Sequence, residues 1–365
     1  MTISGGRVSR MTGGAARAVL QGLPGLPWVW AAVGAVALIA AATVGVLAGP
    51  VHIGVGTVVQ TLIAPIPWIG HPSAVDSSQA SILWSLRFPR VVLGAIVGGM
   101  LATAGAAYQG VFRNPLADPY LLGAAAGANL GATLAIALAP GSSLIGVNVV
   151  PLAGFVGAAA AVAGAYVLGR TVTGLRNATG LILAGVAIAA FLNALQTYIQ
   201  QSQPSTIRQV YSWILGRLVT AGWDGVVLVL PYVALSIAVI FLHRRLLDAL
   251  SVGEEEVHSL GISARRVRLI VVVAATLGTA AVVAIAGTIA FVGIIVPHTI
   301  RLLVGRSYRV VVPLSVLFGA AFLVLADTAA RTVAAPAELP IGVITALVGA
   351  PFFIVVMRST KAAEL

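Results

Sequence analysis

Apolar stretches about as long as a bilayer is thick recur along this chain, and almost nothing ionisable interrupts them. After a run from Trp28 to Ala48, such stretches fall near residues 90–112, 118–139, 147–169, 179–200, 226–243, 267–287, 289–305, 310–330 and 341–357. A helix needs about 20 apolar residues to cross the hydrocarbon core, so the pattern predicts about ten crossings. Only 8% of the 365 residues are Asp, Glu, Lys or Arg, against 59% hydrophobic. Soluble domains run near a quarter charged, so no water-facing shell can be built from this composition. The chain reads as an all-α, polytopic membrane protein. A soluble enzyme, a DNA-binding domain and a secreted module are excluded.

Residues 1–26 hold Arg7, Arg10 and Arg17 among Gly, Ser and Ala and read as a flexible cytoplasmic tail. A cleaved signal peptide is the rival reading, but the run from Trp28 to Ala48 is longer than a signal h-region. A single ten-helix domain is expected over 27–358, with a short cytoplasmic tail at 359–365.

The net charge of +11 would suggest nucleic acid in a soluble chain. Here its distribution fits another role. Ten crossings put both termini on one side. With that side inside, the cytoplasmic set is Arg7, Arg10, Arg17, Arg113, Arg170, Arg176, Arg244, Arg245, Arg265, Arg266, Arg268, Arg301, Arg306, Arg309, Arg358 and Lys361, sixteen in all. The outside set is Arg87, Arg90, Arg208, Arg217 and Arg331. This threefold bias is what the positive-inside rule expects, and no nucleic-acid partner need be invoked.

The single lysine, Lys361, rules out a GxxxxGK[ST] phosphate loop, and the absence of Cys rules out thiolate chemistry and cysteine metal sites. No cofactor is expected, and His298 has no second His or carboxylate at ligand spacing. A charge at the middle of a spanning helix costs about 2.5–3.5 kcal/mol, and ion-coupled carriers bury such charges for function. Almost none stands mid-span here. That weighs against the alternative of an ion-coupled secondary transporter of a small polar solute, and against an intramembrane enzyme. Gly123, Gly127 and Gly131, and Gly94 and Gly98, recur at four-residue spacing, which suits close helix packing in lipid.

Polar residues concentrate in two places. The stretch HRRLLDALSVGEEEVHSLGISARRVRL, from His243, packs Asp248, Glu254, Glu255 and Glu256 into nine residues before Arg265, Arg266 and Arg268. With Leu250, Val252, Val257, Leu260 and Ile262 as its apolar side, it reads as an amphipathic cytoplasmic segment built to dock a partner. In the second, Ser85 to Ala128, Pro89 is expected to open a helix, and RNPLADP (Arg113 to Pro119) to break the chain, with Asn114 and Asp118 capping the broken ends.

The strings QGVFRNPLADPYLLGAAAGA, SVGEEEVHSLGI, AGTIAFVGIIVPHTIRLLVG, FLVLADTAAR and ELPIGVITALVGAPFF, in this order, closely resemble the FecCD-type permeases. These are membrane subunits of binding-protein-dependent ABC importers for ferric siderophores, haem and cobalamin. The resemblance runs from about residue 30 to 358. It implies a non-enzymatic transport subunit in the cytoplasmic membrane of a prokaryote. It also implies a homodimer, two copies of a cytoplasmic ATP-binding subunit and an extracytoplasmic substrate-binding protein. It assigns about 248–266 as coupling helices, with Gly253 and Gly261 at turns, and Glu254, Glu255, Glu256, Arg265 and Arg266 as polar contacts beside Leu260. It assigns Arg87, Arg90 and Arg331 to binding-protein docking; Asp327, four residues before Arg331, shares its helical face. The fifth helix is expected to line the path with Asn193, Gln196, Thr197 and Gln200, and the cytoplasmic gate is expected near Asn177 and Thr179. A ferric siderophore is the favoured cargo, with haem and cobalamin as the other members of the class.

Overall fold

A computed structural model describes residues 27–49, 51–64, 77–144, 147–173, 178–218, 222–253, 257, 261 and 263–362, with backbone only at 172–173, 178–179 and 357–362. The helices are α1 (Trp28–Leu47), α2 (Val55–Ile63), α3 (Ser77–Phe112), α4 (Ala124–Leu138), α5 (Val149–Thr173) and α6 (Ala178–Ser202). They continue as α7 (Ile207–Ile214), α8 (Gly222–Val252), α9 (Ala264–Ala286), α10 (Val292–Leu303), α11 (Tyr308–Thr332) and α12 (Ile341–Ala362). A two-residue hairpin, β1 (Ser143–Leu144) with β2 (Val147–Asn148), joins α4 to α5.

Among the described residues, seven helices are long and apolar enough to cross a membrane. Three more are apolar but shorter: Ala124–Leu138, Val292–Leu303 and Ile341–Val356. Their positions follow the apolar runs of the sequence. Two ends differ from expectation. The helix with Pro89 begins at Ser77, well before the proline. Pro89 has no N–H to donate back along the helix, and the preceding turn, Leu83–Arg87, widens to π geometry, so the helix passes through. α8 continues to Val252 and carries Arg244, Arg245 and Asp248 within it.

α3 is the axis of the bundle: 83% of its spanning window is buried, against 22% for α1 and for α6. It packs on α8, α9, α10 and α11, while α4, α5 and α6 form a second group joined through α9. Lipid offers little drive for helices to associate, so close backbone approach does the packing. A Cβ at Gly127 would overlap the Gly157 carbonyl oxygen across α4 and α5, and one at Gly98 would overlap that of Gly319 across α3 and α11. Gly123, the third member of the expected stripe, instead starts α4 with φ +83°.

The chain between α3 and α4 is irregular yet enters the bundle. Asn114 and Asp118 cap no helix there. Their carboxamide and carboxylate oxygens accept from the N–H groups of Leu116 (2.9 Å) and Tyr120 (2.8 Å), closing two turns before α4 begins. Buried Gln109 donates to the carbonyls of Ala117 (3.2 Å) and Gly293 (2.9 Å), stitching this segment to α10. Such backbone needs internal partners because lipid provides none.

Candidate functional site

The last carbonyls of a helix lack intrahelical donors, and they carry the negative end of its dipole. At the C-terminal end of α1 two arginines from elsewhere in the chain fill that role. The Arg87 Nη1 donates to the carbonyls of Val46 (2.7 Å) and Leu47 (3.0 Å), and its Nη2 to that of Val51. Arg331 donates from Nη2 to Gly45 O (2.8 Å) and from Nη1 to Ala48 O (3.2 Å). Both arginines are buried, at 5% and 4% exposure.

Arg90, three residues along α3 from Arg87, holds two carboxylates with one guanidinium. Its Nε lies 3.0 Å from both oxygens of Asp327, and its Nη2 lies 2.9 Å from Oδ1. Nη1 lies 3.1 Å from both oxygens of Glu338. Asp327 also faces Arg331, with Nε 3.2 Å from Oδ2, so it bridges two arginines. The Asp327 side chain is 3% exposed and that of Glu338 is 37%. Losing one partner of a buried ion pair costs about 3–5 kcal/mol, whereas an exposed pair contributes about 0–1 kcal/mol. The inner half of the cluster is therefore fixed and the outer half weakly held. Trp223, whose indole donates to Trp84 O (2.7 Å), stands near the same end, as aromatic side chains do at a membrane interface.

The three arginines singled out in the sequence thus come together at one end of the bundle, but they point mainly inward. Arg208 and Arg217 lie apart and exposed, Arg217 beside a cavity of about 380 Å3 that also touches Trp213 and Asp224. Glu338 was not foreseen. Its only signal was that acids are scarce, ten in the chain, and one stands in the otherwise uncharged link between α11 and α12.

At the opposite end, Asp248 is a cap within the bundle. Its Oδ2 accepts from the Ser307 hydroxyl (2.8 Å), its Oδ1 from the Tyr308 N–H (2.6 Å), and Arg309 Nε stands at 3.9 Å. That places a carboxylate at the N-terminus of α11, where the dipole favours it. Arg113, in the left-handed region at φ 50°, donates to Leu250 O (2.7 Å) and closes the end of α8. Residues 248–252, the start of the expected coupling segment, form the last residues of α8. Beyond them Gly253 is half-buried, Val257 is buried, and Gly261 has φ +73°. Ser263 then caps α9 by accepting from the Arg266 N–H (3.4 Å). Arg265 and Arg266 are exposed. Glu254, Glu255, Glu256 and Leu260 lie outside the described residues.

On α6, Asn193 and Thr197 are exposed, with the Thr197 hydroxyl donating to Asn193 O (2.9 Å), and Gln200 is half-buried. Gln196 is buried, at 7% exposure. Three residues turn a helix about 300°, so Gln196 falls to one side of Asn193, and here that side faces the bundle. The exposed face continues through Phe191 (67%) and Tyr198 (71%). Asn177 is outside the described residues, and only the backbone of Thr179 is described.

The described residues thus form a multi-pass helical bundle with a buried ionic network at one end. Residues 35–359 match the model of the FecCD transport family, and the chain belongs to that family. Its relatives include the cobalamin import system permease protein BtuC of Halobacterium salinarum, 41% identical over 80% of this chain and 77% of that one. The hemin transport system permease protein HmuU of Yersinia pestis is 38% identical over 76% of this chain and 85% of that one. A solved structure described as an inward-facing metal-chelate type ABC transporter superposes with a TM-score of 0.78 at 27% identity, covering 91% of this chain and 99% of that one.

Proposed function

We propose that the chain is the permease half of an ATP-driven importer. It would receive an iron chelate, a ferric siderophore above all, or haem or cobalamin, from a soluble binding protein. The observation that carries this reading is the family match across residues 35–359 together with a fold shared over 91% of the chain with a metal-chelate transporter. The names of the relatives, for cobalamin and for hemin, keep the cargo class broad. The chain works as a homodimer in a prokaryotic cytoplasmic membrane, with all ten apolar helices crossing, both termini inside and one ATPase subunit beneath each copy. It carries out no chemistry itself.

The exposed face of α6 is the dimer and path surface in this reading. There Asn193, Thr197 and Gln200 offer neutral polar groups, Gln196 backs them from within, and Asn177 and Thr179 stand at the inner gate. The ATPase seats on the segment from Gly253 through Glu254, Glu255, Glu256, Leu260 and Gly261 to Arg265 and Arg266. The binding protein docks where Arg87, Arg90 and Arg331 gather. Arg87 and Arg331 act there by holding the end of α1, and Arg90 faces the partner. In this scheme ATP binding and hydrolysis by the partner shift the dimer between outward- and inward-open states.

Liposomes containing permease and ATPase, given binding protein with ferric siderophore, haem or cobalamin, should take up one cargo class only when ATP is enclosed. Uptake that proceeds without ATP would overturn the reading in favour of an ion-coupled carrier.

A further inference from the structure

Arg90 is the one arginine of its cluster with a guanidinium edge turned to an exchangeable partner. Arg87 and Arg331 spend most of their donors on main-chain carbonyls at or just past the end of α1, Arg331 turns its Nε to Asp327, and Asp327 takes the Nε–Nη2 edge of Arg90. The remaining edge, Nη1 with Nη2, holds Glu338 in a geometry that any other carboxylate could adopt, since a guanidinium presents matched donor pairs to planar acids. Glu338 is the exposed member of the cluster, at 37% against 3% for Asp327.

Its backbone is anchored independently of its side chain. Leu339 N–H donates to Ala330 O (2.9 Å), and Ala337 N–H donates to Ala334 O (3.0 Å). The side chain can therefore swing away while the link between α11 and α12 stays in place. The surface around it is exposed and largely uncharged, with Val333 at 72% exposure and Ala335, Pro336 and Ala337 open. These neighbours carry no charge of their own to compete for Arg90. Charge balance favours exchange as well. Arg90 and Arg331 share Asp327, and Glu338 meets Arg90 alone, so releasing Glu338 leaves two guanidinium groups on a single carboxylate, a field that draws in an acid.

We propose that Glu338 is a displaceable counter-ion: it holds the outer edge of Arg90 in the undocked permease and gives way to a carboxylate of the soluble binding protein. This rests on the docking reading above and adds to it a built-in competitor that sets how tightly the partner is held. The contact would be made by Arg90 alone among the three arginines, and by exchange of one carboxylate for another.

The test is docking of the soluble binding protein of the same transport system to the permease–ATPase complex in lipid nanodiscs. Its Kd is measured with the wild type, Glu338→Gln, Arg90→Gln, Arg90→Lys and the Arg90→Gln/Glu338→Gln double variant. Binding protein with its surface carboxylates amidated serves as the probe control. Removing an exposed competing charge should tighten docking by about 2–5-fold. Arg90→Gln should weaken it at least tenfold, Arg90→Lys should weaken it less, and the gain from Glu338→Gln should vanish in the double variant. Amidated binding protein should not distinguish wild type from Glu338→Gln. If Glu338→Gln docks no tighter while Arg90→Gln docks poorly, Glu338 is no competitor, although docking on Arg90 stands. If Arg90→Gln and Arg90→Lys both dock like the wild type, the docking reading fails and this proposal with it.

Discussion

The two ends of this bundle treat charge in opposite ways. At the end where α1 finishes, Arg87 and Arg331 are buried, their donors committed to main-chain carbonyls, and Asp327 lies between two arginines. At the other end, Arg265 and Arg266 stand exposed at the start of α9, and the Arg244 guanidinium lies over the Phe241 ring at 3.7 Å. The first end is organised within the chain itself, and of its two carboxylates only Glu338 is exposed. The second leaves the Arg265 and Arg266 guanidinium groups exposed. One carboxylate there departs from the pattern: Asp248 behaves like the residues of the opposite end and fastens α8 to α11.

The contrast breaks most sharply at Asp327. Replacement by Asn keeps the volume but leaves Arg90 and Arg331 facing each other without the intervening charge. Breaking a buried network in this way should cost about 3–5 kcal/mol, the largest effect expected from any single polar change in this protein. The measurement is the unfolding temperature of the purified permease in detergent. A shift no larger than that of a surface variant would show that the cluster is not a preorganised platform.

Asp248→Ala comes next and separates anchor from surface within one end. It removes the acceptor for the Ser307 hydroxyl and the Tyr308 N–H, leaving the start of α11 with only the Ser307 side chain on the Arg309 N–H, and should cost about 1–2 kcal/mol. The same variant should still retain the ATPase on co-purification. Loss of the ATPase without loss of thermal stability would place Asp248 on the coupling surface rather than among the anchors.

How much of this was legible in the sequence depends on the range of the interaction. The helices were, because a spanning helix is written in about twenty consecutive residues and lipid permits little else. That α4 packs closely on a neighbour was visible as well, since Gly127 and Gly131 advertise it locally, but not that the neighbour is α5. The partners of the arginines were not. Arg90 meets Asp327 across 237 positions and Arg331 meets Gly45 across 286, and a guanidinium bound for a helix end looks, in sequence, like one bound for another protein. The same limit hid the side to which Gln196 turns. A spacing of three to four residues says which side chains are neighbours on a helix, and the bundle around it decides which of them it covers.

The smallest effect on stability is expected at Arg265 and Arg266, and that is what makes them informative. Both are exposed, and the cap that starts α9 uses the Ser263 side chain and the Arg266 main-chain N–H rather than either guanidinium. Exposed charges away from such features shift stability by about 0.5 kcal/mol or less. The double change Arg265→Glu/Arg266→Glu should therefore melt within a degree or two of the wild type. If these residues form part of the seat for an ATPase, the same change should weaken recruitment of that subunit several-fold in low salt and less in high salt, because exposed charges are screened. A variant that melts early would place these side chains with Asp248 among the anchors. A variant that is stable and still binds the ATPase fully at low salt would move the seat to the segment between Gly253 and Gly261, leaving the exposed arginines to orient the chain in the membrane.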